Sequence, residues 1–212
     1  MIIQLVDRSE DMCDAWTTAF IDRDGKPCDD VTIYCDDFFA PETDCIVSPA
    51  NSFGFMDGGL DGVITRRLGK QTQTKVQDAI ANRPLKELLV GEAILVDTGN
   101  EDIPWCISAP TMRVPMILSG TPNAYLAAKA VFALLKKVEA KRPDLITRVT
   151  ISGLGTGVGQ VSPEVCANQM RMAYDEVWLD KYERPKTWFD TQQRHQMLYT
   201  DVNNTRDLQF PK

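Results

Sequence analysis

A chain of 212 residues with a formal net charge of −7 repels a phosphate backbone at long range, which disfavours an extended nucleic-acid surface built on Lys and Arg. Hydrophobic residues at 43% and charged residues at 25% are the balance of a globular chain with one main core, and no apolar run is long enough to span a bilayer. The opening MIIQLVDRSEDM has no basic region ahead of its apolar stretch, so it does not read as a secretory signal and a cytoplasmic location is expected.

Short β-branched runs alternate with longer helical patterns along the chain. In order, IIQLV (2–6), VTIYC (31–35), DCIVS (44–48), EAILVDT (92–98), WCISA (105–109) and RVTISG (148–153) read as six strands. Between them DAWTTAF (14–20), the long stretch 59–82, NAYLAAKAVFALLKKVEAK (123–141) and 162–179 read as helices. In the third, Tyr125, Ala128, Phe132, Leu135 and Val138 recur three or four apart, which marks the face that packs on a sheet. This alternation predicts an α/β fold with helices on both sides of a mostly parallel or mixed six-stranded sheet. After Leu179 the chain turns polar and loses periodicity, so residues 181–212 read as an extension to a domain of residues 1–180. Trp188 and Phe189 are the expected anchors if the extension packs down.

Two glycine-rich segments stand where strands lead into helices, the place where open α/β sheets hold ligands. The first, SPANSFGFMDGGLDG (48–62), follows the third strand; the second, SGLGTGVGQVSPE (152–164), follows the sixth. Glycines allow close backbone approach, and rows of N–H donors beside a helix N-terminus suit a phosphate or diphosphate. Neither segment is a P-loop or a dinucleotide fingerprint, so each alone reads equally as a tight turn. In the first, Asn51 offers both donor and acceptor to a sugar hydroxyl and Asp61 an acceptor for water; the structural alternatives are an Asx-type turn and a first-turn helix charge. Six cysteines without a C-x-x-C pair and a lone His195 in the polar tail outline no metal site, and buried free thiols are expected. Arg113 reads as an exposed loop residue, and Met112, Met116, Met170 and Met172 as core filling.

The stretch CIVSPANSFGFMDGGLDGVITRRLG (45–69) resembles the macro-domain signature, an apolar strand followed by N-A-A-N, then G-G-G-V-D and a closing small-residue turn. Ala50 and Asn51 fall at the end of the first motif, Gly58, Gly59, Leu60 and Asp61 on the second, and Gly69 on the closing glycine. The resemblance covers about residues 1–180 and implies a three-layer α/β/α sandwich with a cleft for ADP-ribose. It implies Asp37 as acceptor for the adenine amino group, Phe38 as its apolar neighbour, and the N–H groups around Gly58, Gly59 and Leu60 on one phosphate. The other phosphate falls to Gly153, Gly155, Thr156, Gly157, Val158 and Gly159, and the distal ribose to Asn51 and Asp61 as candidate catalytic residues. No metal or cofactor is implied. Ser48 stands where the family has its first Asn, Pro49 follows it, Asp57 replaces a frequent Gly, and Gly159 occupies the place of a catalytic Asp in one branch. SAPTMRVP (108–115) and TPNAY (121–125) are similar to a bacterial and phage subgroup.

Three functions follow as expectations: hydrolysis of an ADP-ribosyl linkage or a distal-ribose ester, non-catalytic reading or scavenging of ADP-ribose or a related nucleotide, and an assembly role that keeps only the fold. The implied partner is ADP-ribose or an ADP-ribosylated substrate, with no membrane.

Overall fold

The computed structural model describes residues 1–22 and 24–199. Six strands form one sheet in the order β2-β1-β6-β3-β5-β4. β1 (Ile2–Asp7), β2 (Val31–Cys35), β3 (Cys45–Ser48), β5 (Trp105–Ser108) and β6 (Arg148–Ile151) run parallel, and only β4 (Ile94–Asp97) is antiparallel, at the edge beside β5. The sheet is therefore mixed, in the three-layer arrangement expected from the alternation of patterns.

Parallel neighbours need crossovers, and the crossover helices cover both faces. Side chains alternate accordingly. Ile3, Leu5, Cys45, Val47 and Ile107 face a core with Met12 and Trp16 of α1 (Glu10–Ala19), Phe132 of α4 (Asn123–Lys141) and Met170 of α5 (Pro163–Ala173). Val6, Ile46 and Cys106 face the other way, against Ile64 of α2 (Gly59–Leu68) and Val76 and Ile80 of α3 (Lys70–Ala81). Strands buried on both sides have little use for polar positions, so Gln4 and Thr150, neighbours in register, satisfy each other through a 3.1 Å bond from Thr150 Oγ1 to Gln4 Oε1.

The single helical stretch expected over 59–82 is two helices. Gly69 between them has φ +95°, a left-handed conformation that favours glycine and ends the first helix there. The last core helix continues as one turn of π-helix over Tyr174–Trp178. Five of the six thiols are buried as expected, and Cys35 is exposed.

The start of the polar extension also differs from expectation. No residue of α6 (Trp188–Gln196) is buried, yet the helix forms, started by a capping box in which Thr187 Oγ1 accepts from Asp190 N–H and Asp190 accepts from Thr187 N–H. Trp188 and Phe189 stay exposed, and the anchors are Leu198 and Tyr199, both buried. Arg194 Nε donates to Glu176 at 3.0 Å and Tyr199 O–H to Gly120 O at 3.0 Å. Burial alone would raise the Glu176 carboxyl, but Tyr125, Lys129 and Arg194 around it hold it below its ordinary value. Residues 200–212, including Pro211, lie outside the described residues. Among the described residues no helix is long and apolar enough to cross a membrane.

Candidate functional site

The carboxyl ends of β1, β2, β3 and β6 open onto one cleft of about 490 Å³. Its wall holds every residue singled out above as a candidate for the site, from Asp37 and Phe38 through Ala50, Asn51 and the 58–61 turn to the loop 153–159. The structure brings them together; it also adds residues that the motifs did not name.

The turn into α2 leaves its first amides without a side-chain cap. The helix is capped by Gly58, which has no side chain to accept the first-turn N–H groups, whereas α1 and α5 are capped by Ser9 and Ser162 hydroxyls. A Cβ on Gly58 or Gly59 would meet nothing within 4 Å, so the backbone there borders open space. Gly59 sits at φ +53°, which keeps a side chain out of the approach. Asp57 is exposed and outside the cleft wall.

The second loop folds on itself. Val161 N–H donates to Gly155 O at 3.1 Å, and Leu118 N–H donates to Gly159 O at 2.7 Å. A Cβ on Gly159 would lie 2.4 Å from Gly155 O and 2.9 Å from Leu118 Cδ1, while one on Gly157 would meet nothing within 4 Å. The loop is thus packed on its inner side and open on its outer side. Asp7 ties it to β1, since its Oδ2 accepts from Gly153 N–H at 3.3 Å.

Asp61 and Asn51 occupy different situations. Asp61 lies in the first turn of α2, and its Oδ1 accepts from Ser48 Oγ at 2.5 Å. Burial pushes its carboxyl up to about 6 despite the stabilising Ser48 hydroxyl. Ser48, at the position where the resemblance has Asn, is thereby the partner of the acid. Asn51 spends its side chain on its own loop: Nδ2 donates to Phe55 O at 2.8 Å, and Oδ1 accepts from Phe53 N–H at 3.1 Å and Phe55 N–H at 3.3 Å. The Asx-type turn that the sequence offered as the alternative is what the structure contains, at the edge of the cleft.

At the other end Asp37 Oδ1 accepts from Phe39 N–H at 2.9 Å, and its Oδ2 accepts from the Arg8 guanidinium. The Phe39 amide first, and then Arg8, hold its carboxyl below its ordinary value. Arg8, Thr111, Met112 and Pro115 also line the cleft. The rule that located the glycine loops, looking just past strand ends, would have found Arg8 had it been applied to β1. Arg113 turns away, pairing bidentately with Glu87 at 2.9 and 2.6 Å and lying over the Phe53 ring. Of the methionines expected in the core, Met112 and Met170 are buried and Met172 is half-buried, but Met116 is 47% exposed beside the cleft-lining Pro115.

A family model described as Macro domain matches residues 47–170, more than half of the chain and both glycine loops. The chain belongs to the macro domain family. An uncharacterised protein of Aquifex aeolicus is 36% identical over 129 residues, 61% of this chain and 71% of that protein. A second uncharacterised protein, from Aeropyrum pernix, is 30% identical over 130 residues, 61% of this chain and 62% of that protein. Among solved structures, the fold is shared with the macrodomain of Mycobacterium tuberculosis DarG, at TM-score 0.55 and 21% identity, covering 66% of this chain and 87% of that one. It is shared also with the Oceanobacillus iheyensis macrodomain with ADP, at TM-score 0.55 and 23% identity, over 69% and 75%. Thermosipho africanus DarTG in complex with ADP-ribose matches at TM-score 0.52 and 21% identity, over 71% of this chain and 38% of that one.

Proposed function

We propose that this macro domain binds ADP-ribose across the cleft and hydrolyses a bond to its distal ribose. The observation that carries the reading is Asp61, a carboxylate held by Ser48 beside two amide-lined loops, with its charge disfavoured by burial until about pH 6. Such a group is ionised at neutral pH and basic enough to take a proton. Ser48 occupies Oδ1, which leaves Oδ2 for a water. That water adds to the anomeric carbon of the distal ribose, its proton passing to Asp61 as the glycosidic bond breaks and the leaving group takes its electron pair. The charge on Asp61 also favours the oxocarbenium-like transition state. Gly58, Gly59 and Leu60 would hold one phosphate and the loop 153–159 the other, with Asp37 and Phe38 at the adenine. Crystallised relatives with ADP and with ADP-ribose support the ligand class. Residues 1–180 then form the binding domain and 181–212 its extension, and the buried free thiols fit a reducing cytoplasm.

The engagement of Asn51 with Phe53 and Phe55 favours a second reading, a reader that binds ADP-ribose without turnover, because little of that side chain is left to orient the ribose. A thermal-shift titration separates binding from its absence: ligand at about 100 times its Kd adds about 2.7 kcal/mol of stability. A turnover assay on ADP-ribosylated protein, nucleic acid and ester substrates then divides the readings. Product release above the Asp61→Ala level supports hydrolysis, and binding with no release leaves the reader.

A further inference from the structure

The purine end of the proposed site presents more than the single acceptor that the resemblance implies. β1 and β2 are parallel neighbours with Asp7 opposite Cys35, and Asp36 N–H donates to Asp7 O at 3.0 Å, so the chain leaves both strands side by side. Arg8 and Asp37 follow at once, both line the cleft, and the guanidinium donates to Asp37 Oδ2. Each Asp37 oxygen has one bond, from Phe39 N–H or from Arg8, and each retains acceptor capacity. The Arg8 side chain is 78% exposed, and a guanidinium carries five N–H donors. Neighbouring carboxylates are otherwise engaged: Asp7 accepts from Ser9 N–H and Gly153 N–H, and Asp36 Oδ1 from Asp37 N–H. A strong donor and a strong acceptor therefore stand together at the base end of the cleft.

We propose that Arg8 is a second base-reading residue, and that the Arg8 and Asp37 pair admits 6-oxo purines as well as adenine. The ligand class becomes purine nucleoside diphosphate-riboses, an inference that rests on the diphosphate-ribose reading above. Adenine presents an amino donor at C6 beside the acceptor N1, whereas hypoxanthine and guanine present the acceptor O6 beside the donor N1–H. A lone carboxylate accepts the amino group of the first edge; on the second it accepts N1–H but leaves O6, a stronger acceptor than adenine N1, facing a negative charge with no donor. Paired with a guanidinium, it matches either edge, because each offers one donor and one acceptor on adjacent positions. Because the Arg8 head is exposed, a shift from one side of Asp37 to the other would break no buried contact.

Isothermal titration of the full chain with ADP, IDP and GDP tests this. In the wild type IDP should bind within about 10-fold of ADP, since neither base leaves a charged partner unpaired. Arg8→Ala should weaken IDP and GDP by about 10- to 100-fold, the worth of one good base-edge contact, and ADP by much less. Arg8→Lys, which keeps a charged donor, should recover part of the IDP affinity. Wild-type refusal of IDP by more than about 100-fold alongside tight ADP binding overturns the proposal while leaving the diphosphate-ribose reading intact. So does an equal loss of ADP and IDP in Arg8→Ala, which would assign the guanidinium to the phosphates. A folded wild type that binds none of the three overturns both.

Discussion

Asp37 and Asp61 are the same residue type in one cleft, and their surroundings drive them in opposite directions. Asp37 stands at the exposed end, bonded to a backbone amide and a guanidinium, and its carboxyl is shifted down. Asp61 sits in the first turn of α2 with the Ser48 hydroxyl as its bonded partner, and burial shifts its carboxyl up to about 6. The exposed acid is at ease when charged and suits recognition. The more enclosed one is held at a cost when charged, and that cost is what would make it a base in the proposed reaction. Two carboxylates pushed apart in this way fit the proposed division of labour between reading a ligand and acting on it.

The sharpest way to break this comparison is at Asp61. Asp61→Asn preserves shape and the Ser48 contact, so turnover should fall by about 10²- to 10⁴-fold with affinity for ADP-ribose changed by less than about 10-fold. Equal turnover in the variant would remove Asp61 from the chemistry. The wild-type kcat should in addition rise with pH through about 6 and level above it, as the carboxylate that takes the proton forms.

The same substitution should stabilise the unliganded fold. Because the folded-state value of Asp61 lies above the unfolded one, the folded chain keeps a proton between about pH 4 and 6 that the unfolded chain has released. That stabilisation is complete below about pH 4 and lost above about pH 6. At pH 8 the neutral Asn should therefore gain on the order of 2 kcal/mol, a rise of about 4–8 °C in Tm, and the gain should vanish near pH 4. Calorimetry at the two pH values checks the sign.

Gly58→Ala sharpens the comparison from the ligand's side. Its backbone, at φ −128°, accepts a side chain and the new Cβ meets nothing within 4 Å, so Tm should hold within about 2 °C. Affinity should fall by about 10-fold or more if a phosphate lies against that amide, read by titration with ADP-ribose. The smallest effect belongs to Asp37→Asn in the free protein. An exposed pair with Arg8 is worth about 0–1 kcal/mol, so thermal unfolding should barely move while ADP affinity drops.

The central strands were legible because burial on both faces writes β-branched runs, as in CIVS at β3 and RVTI at β6. α4 was legible from end to end through its apolar stripe. α6 was not, because its nine residues bury no side chain and carry no stripe; the Thr187 and Asp190 capping pair was its one signal. At the site, glycine loops past strand ends were readable by position. The Ser48 to Asp61 bond was not, since it spans thirteen residues and joins a strand end to a helix start. Nor was the Arg8 to Asp37 pair, which depends on β1 and β2 being neighbours in the sheet.

The segment from α6 to Tyr199 reaches further than its own contacts suggest. Tyr199 fastens Gly120, two residues beyond Leu118, and Leu118 in turn grips Gly159 and crowds Gly155. A polypeptide cut after residue 180 loses that buttress, leaves Glu176 without Arg194, and loosens the support of the 153–159 loop. Affinities measured on such a fragment would describe a softened pocket, and comparisons among variants belong on the whole chain.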